Sequence, residues 1–207
     1  MRCLTIVVLL LLLGSAVRAQ EPAKGTEVMP DRFGLRHKPL NFPQRTPKET
    51  LNSVIEAISS GQGGYLVAHL MEPDFVSTRI AERARILEPV VEGELVEMRN
   101  SQRQKASAFP QSQRLPDDPK AFRDVVLRAA IDRATGLVIA DVQGRIANDP
   151  ESTKLLRRFF REGMFADTET ASRATLMDVK DHAVFFKKVG DRWFMENRIA
   201  DEKPPAP

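Results

Sequence analysis

From Leu51 to Phe160 the hydrophobic residues recur every three or four positions, and after Gly163 the pattern shortens to the alternation of strands. The first helix is the best marked. Thr46 stands at the cap, Pro47 takes the first helical position where a missing N–H costs nothing, and Glu49 follows three residues after the cap. Leu51, Val54, Ile55 and Ile58 then share one face, and Gly61 closes the helix. After a Gly63-Gly64 turn, Tyr65–Met71 reads as a short second helix stopped by Pro73, because the residue before a proline avoids helical backbone.

From Ile80 the series Ala84, Leu87, Val91, Leu95 and Met98 predicts a third helix that Pro89 should kink or split. A polar stretch over 99–116 separates it from a fourth, which starts after Asp117-Asp118-Pro119 and runs through Phe122, Val126, Ala130, Ala134 and Leu137. The run 137–142 fits helix or strand, and the spacing of Leu127, Ile131, Ala134, Val138 and Val142 favours helix. Asp149-Pro150-Glu151 opens a fifth helix with Leu155/Phe159 and Leu156/Phe160 on one side, ended by Gly163.

The last forty residues read as antiparallel strands at Met164–Thr170, Arg173–Val179, Ala183–Val189 and Arg192–Ile199. Gly190-Asp191 suits a two-residue type II′ hairpin that sets Val189 opposite Arg192, Lys188 opposite Trp193, Phe186 opposite Met195 and Val184 opposite Asn197. One face then carries Val184, Phe186, Trp193 and Met195 and the other Phe185 and Phe194. A sheet apolar on both faces must be covered on both, by helices or by a partner.

The expected fold class is therefore α+β: a helix-rich N-terminal and middle part followed by a C-terminal antiparallel β-sheet. The division is a single domain over 46–200, an unstructured proline-containing lead over 20–45, and a frayed tail over 201–207.

Before the lead, Arg2, the apolar run Cys3–Leu13 and Val17-Arg18-Ala19 form a secretory signal peptide over 1–19 with a cut before Gln20. The apolar run is about half the roughly 20 residues that span a bilayer, so no membrane span is expected in the mature chain. Export as a periplasmic, cell-envelope or secreted protein follows. The 207-residue chain has 31 basic and 28 acidic side chains; loss of Arg2 and Arg18 leaves 29 against 28, so its basicity nearly vanishes. Its single cysteine also leaves with the leader. Disulfides, thiolate nucleophiles and cysteine-ligated metals are thereby excluded for the mature chain.

Few residues remain to carry chemistry. Tyr65 and His69 lie four apart on the short second helix, with Asp74 just beyond and His182 beside Asp181 at a predicted turn. They suit proton transfer on a bound ligand, but a locally bonded core histidine at His69 and a solvated turn at His182 are the favoured readings. Three histidines, with His37 in the lead, are too few for a histidine-rich metal site. Phe186 and Trp193 read as sheet core or as the lining of a pocket for a small apolar ligand.

Arg99, Arg103, Lys105 and Arg114 lie in an acid-free stretch, and Lys154, Arg157, Arg158 and Arg161 on the fifth helix. Each set suits contact with an anionic surface, although a solvated loop and a solvated helix face are the readings the near-zero mature charge favours. Neither interleaves aromatics as a base-stacking platform does, so no specific nucleic acid is expected. Phosphate-loop, dinucleotide and serine-nucleophile signatures are absent, and no cofactor is implied.

The capped T-P-K-E-T helix followed by E-A-I-S-S-G, the second short helix and the terminal V-G-D-R-W-F-M-E-N-R hairpin resemble the nuclear transport factor 2-like superfamily. The likeness is to exported bacterial members of unknown function and covers roughly 46–72 and 163–199. It implies a strongly curved sheet wrapped around helices as a cone with an apolar pocket, with 75–162 as a helical insertion. Some members, ketosteroid isomerase and scytalone dehydratase among them, catalyse; many only bind or dimerise. The expected function is a non-catalytic binding or interaction module, with homodimerisation through the sheet as a partner mode. The alternative is a small-molecule enzyme using acid–base groups in the cone.

Overall fold

The computed structural model describes residues 31–105, 110 and 113–198. The expected signal peptide, the first part of the lead and the tail lie outside the described residues, as does Ile199.

The order is α1 (Pro47–Ser59), α2 (Gly63–Tyr65) running into a π-helical turn (Leu66–Leu70), α3 (Pro73–Gln104), α4 (Pro119–Asn148), α5 (Pro150–Glu162), and strands β1 (Met164–Asp167), β2 (Ala171–Leu176), β3 (Val179–Val189) and β4 (Arg192–Met195). The α+β class is as expected, and the strands form one antiparallel meander in the order β1-β2-β3-β4.

Every long helix begins with proline at its first positions. Pro73, read from sequence as a stop, is also a start: Glu72 before it is extended (φ −53°, ψ 126°), and α3 begins there instead of at Ile80. Side chains of Thr46, Asp118 and Asp149 accept from the N–H groups of Glu49, Ala121 and Ser152, so three of these starts are capped. Pro89 neither splits nor ends α3, which runs unbroken for 32 residues. Pro89 and Arg85, whose carbonyl loses its helical donor, are both exposed, so water can take the place of the missing bond. The 137–142 run is helical, inside α4.

α3 and α4 form a long antiparallel hairpin with its own core of Val76, Ile80, Ala84, Val91, Phe122, Val126, Ala130 and Ala134. Ion pairs Arg83–Asp141 (2.6 Å) and Glu94–Arg133 (2.9 Å), with Arg103–Asp117 near the tip, step up one helix as they step down the other. Exposed pairs of this kind stabilise by less than about 1 kcal/mol each, so they mark register more than they hold it. Gln102 closes the tip: its amide donates to the Gln113 carbonyl (3.2 Å) and accepts from Leu115 N–H (2.9 Å).

The sheet carries a second core. Val184, Phe186 and Trp193 pack with Ala174, Leu176, Leu51 of α1 and Phe159 of α5, which fill this face of the sheet. Phe186↔Met195, Lys188↔Trp193 and Val189↔Arg192 pair in the expected register, and Gly190 takes φ 59° at the turn. Strand ends differ from the sequence reading. Met177-Asp178 makes the β2–β3 turn, so Val179 begins β3 instead of ending β2, while Thr168 to Thr170 form the β1–β2 turn. On the opposite face, Phe185 lies under the guanidinium groups of Arg198 (4.0 Å) and Arg173 (5.6 Å), and Phe194 under that of Arg192 (4.9 Å). Cations, not a helix, therefore cover part of the second face.

Residues 31–45 depart from the expected unstructured lead. Phe42 and Gln44 are 2% and 4% exposed. Phe42 packs with Val54, Tyr65, Leu66 and Leu70 in a third core that ties the lead to the helices. Proline content and absent periodicity mislead here because this segment folds by bonding to remote strands, with no regular element of its own.

Gly93 in α3 and Gly136 in α4 are exposed, and a Cβ at either meets nothing within 4 Å. Gly93→Ala and Gly136→Ala should each stabilise by about 0.5–1 kcal/mol in urea unfolding, because alanine restricts the unfolded chain without straining the helix.

Candidate functional site

The only tyrosine of the chain and two of its three histidines meet beneath the lead. α2 delivers Tyr65, and the π turn delivers His69 with its ring centroid 4.8 Å away. Leu66, Val67, Ala68, His69 and Leu70 are all at most 2% exposed, so the whole turn is buried. Sequence spacing brought Tyr65 and His69 together; it missed His37, whose ring lies 5.3 Å from that of His69. Phe42 stacks on Tyr65 at 4.4 Å. No local pattern signals these two, because they belong to the lead and reach Tyr65 and His69 only across a chain reversal.

The polar atoms of this cluster are engaged by backbone. His69 Nε2 lies 2.7 Å from the Leu35 carbonyl, which can only accept, so that nitrogen carries the proton. Lys38 N–H donates to the Tyr65 hydroxyl (3.1 Å). Arg192 donates through Nε to Gln44 Oε1 (3.1 Å) and through Nη2 to the His69 carbonyl (3.1 Å). Arg32 donates to the carbonyls of Ala68 (3.1 Å) and Pro73 (2.7 Å). Burial pushes the His69 imidazole down, against the Leu35 hydrogen bond, and Arg192 and Arg32 lower it further. His37 falls to about 4, by burial, then Arg192, then His69. Burial raises the Tyr65 phenol. Both imidazoles are thus neutral near pH 7, and the cluster fastens the lead to the π turn.

The other sequence candidates separate. Asp74, in the first turn of α3, is 86% exposed at its side chain and 3.7 Å from Lys187 Nζ. His182 lies exposed within β3 instead of at a turn. Phe186 and Trp193 are 0% and 6% exposed inside the sheet core.

Several members of the basic sets acquire partners, some remote and some on the same helix. Arg103 pairs with Asp117, Arg99 lies 3.9 Å over the Phe122 ring, and Lys105 ends α3. Arg114 lies in the loop beside Gln113, which bonds to Gln102. Arg158 pairs with Asp178 (2.8 Å) and Glu162 (3.4 Å), Arg157 donates to Ser59 Oγ (3.0 Å), and Arg161 lies 4.0 Å from Glu162.

An apolar concavity lies elsewhere. A groove of about 540 Å³ opens where the helical hairpin meets α1, α5 and the end of β4. Leu66, Met71, Phe75, Val142, Ile146 and Met195 are among its apolar residues, and Arg79, Glu82, Arg83, Asp141 and Arg145 bring charge to it. Ile86, 73% exposed, stands on its α3 wall. Tyr65, His69, Phe186 and Trp193 do not line it. Helical spacing explains both walls: Phe75, Arg79, Glu82 and Ile86 on α3, and Val138, Val142, Arg145 and Ile146 on α4, recur at three and four. Of these stripes the sequence periodicity marks Val138 and Val142; it misses Phe75, Arg79, Glu82 and Ile86, because it starts the third helix at Ile80 with a different face turned inward.

Among the described residues no group of three or more histidine, aspartate or glutamate side chains is placed to hold a metal ion. No described helix is long and apolar enough to cross a membrane. Comparison with known proteins finds no matching family model, curated protein or solved structure.

The histidine shifts have a defined sign. Both imidazoles bind protons less readily in the folded chain than in the unfolded chain, where the ordinary value is 6.5. Stability is therefore full above about 6.5 and declines as pH falls toward 4. The thermal midpoint should drop between pH 7 and 5, and His37→Gln should flatten part of that drop; a wild-type midpoint constant over the window would contradict the assignment. Gln44→Ala should destabilise by about 1–3 kcal/mol in urea unfolding, since it removes one of the two side-chain donors to the buried Trp193 carbonyl and an acceptor of the Arg192 guanidinium.

Proposed function

We propose that this protein is an exported, non-catalytic binding module whose site is the groove between α3, α4 and the end of β4. One observation carries this reading: apolar residues belonging to the edges of all three cores reach the same open groove, and charged side chains stand around them. Apolar concavity with a few charged groups is the usual form of a ligand site. Export rests on the Arg2, Cys3–Leu13 and Ala19 pattern of the leader.

Binding is favoured over proton-transfer chemistry by where the acid–base side chains lie. Tyr65 and His69 bond to backbone beneath the lead, away from the groove. The likeness to the nuclear transport factor 2-like superfamily is compatible with binding, although the space it would assign to a ligand holds Leu51, Phe159, Phe186 and Trp193. The dimer expected through the sheet is less favoured: Arg198 and Arg173 lie over Phe185 on the face away from α1 and α5.

Titration with the apolar fluorophore N-phenyl-1-naphthylamine tests the groove. Saturable enhancement is expected, weakened on the order of tenfold by Ile86→Glu, which sets a charge on the groove wall. Met177→Glu, in the exposed β2–β3 turn, should leave it unchanged. No saturable signal, or equal weakening by both variants, would remove the groove as the site.

A further inference from the structure

We propose that the groove takes a single-chain amphiphile with an anionic head, its alkyl chain on the apolar floor and its head on Arg145; this rests on the groove being the binding site. The charges around the groove point to that ligand class. Arg83 pairs with Asp141 at 2.6 Å and Arg79 with Glu82 at 3.5 Å. These four cancel one another. Arg145, the fifth, makes no ion pair among the described residues. It stands in the last turn of α4, where the helix dipole already favours a cation, so the free protein needs no acidic side chain beside it.

Arg145 also grows from the same stripe as the floor, three residues after Val142 and next to Ile146. Its aliphatic stem can lie along apolar surface while the guanidinium stays at the mouth. An alkyl chain resting against Val142, Ile146, Met71 and Phe75 would then end where a planar, permanently charged donor meets a carboxylate or phosphate through two parallel N–H bonds. A cationic amphiphile would face that guanidinium with like charge, and a neutral one would leave it without a role. The volume of about 540 Å³ falls within the roughly 300–1,000 Å³ of small-molecule sites.

The test is displacement of N-phenyl-1-naphthylamine from the full chain, below micellar concentrations, by dodecanoate, dodecyl phosphate, 1-dodecanol and dodecyltrimethylammonium. At least one of the two anions should displace the probe at concentrations at least about tenfold lower than the alcohol or the cation, the scale of one hydrogen bond to a charged group. Which anion does so separates a fatty-acid head from a phosphate head. Arg145→Gln should bring that anion to the level of the alcohol and leave the alcohol unchanged. Equal displacement by all four, or an anion preference that survives Arg145→Gln, overturns head recognition by Arg145 while leaving the groove as an apolar site. Probe binding that none of the four displaces overturns the amphiphile and leaves the groove to a protein segment. Absence of probe binding overturns both readings.

Discussion

The outer edge of β4 is the constraint on which the rest of the chain is arranged. A strand at the end of a sheet presents unpaired N–H and C=O groups, and buried ones must find partners. Here the partners come from far away in sequence. Trp193 N–H donates to the Gln44 carbonyl (2.9 Å), and the Trp193 carbonyl accepts from Gln44 Nε2 (2.7 Å) and Thr50 Oγ1 (3.2 Å). Two residues on, Glu72 N–H donates to the Met195 carbonyl (3.0 Å), where Met71 bridges in parallel. The lead, α1, the segment before α3 and the last strand therefore meet along one line of backbone. Residues without a helical or strand pattern of their own become ordered there because an unsatisfied strand edge gives them a template.

That line also places the groove. The sheet with α1 and α5 forms one packed body, the α3–α4 hairpin another, and the Met71–Glu72 segment joins them. Met71 packs against both the hairpin core and the core that includes Phe42 and Tyr65. Such a seam is where convex surfaces cannot close completely, so apolar residues at the edge of each core are left side by side. Ile86, Val138 and Met195 reach the same concavity from three elements for this reason. The ion pairs Arg83–Asp141 and Arg79–Glu82 neutralise most of the charge there without covering the floor.

Much of the fold was legible because its signals are local. Thr46, Asp118 and Asp149 cap helices through neighbours three residues away, and Gly190 sets the terminal hairpin register through its own backbone. Of the candidate chemistry, only the Tyr65–His69 contact shared that locality, being four residues apart. His37 and Arg192 came to the same cluster through chain reversals that no spacing records. Pro73 and Pro89 show the limit from the other side. The same residue type begins one helix, where Glu72 before it is extended, and passes through another, where the carbonyl that loses its donor is exposed to water.

By itself the amino-acid sequence determined the α+β class, the capped starts of α1, α4 and α5, the register of the last hairpin and the stripes that pack into the cores. These follow from dihedral preferences and hydrogen bonds reaching no more than about one turn. Tertiary structure alone decided which stripes stayed uncovered, that Asp117 and Asp178 would meet Arg103 and Arg158 of the two basic sets, and that Tyr65 and His69 would be closed beneath the lead. Burial and charge pairing depend on distance in space, and here the deciding partners stand as far as 149 residues apart, as Gln44 and Trp193 do.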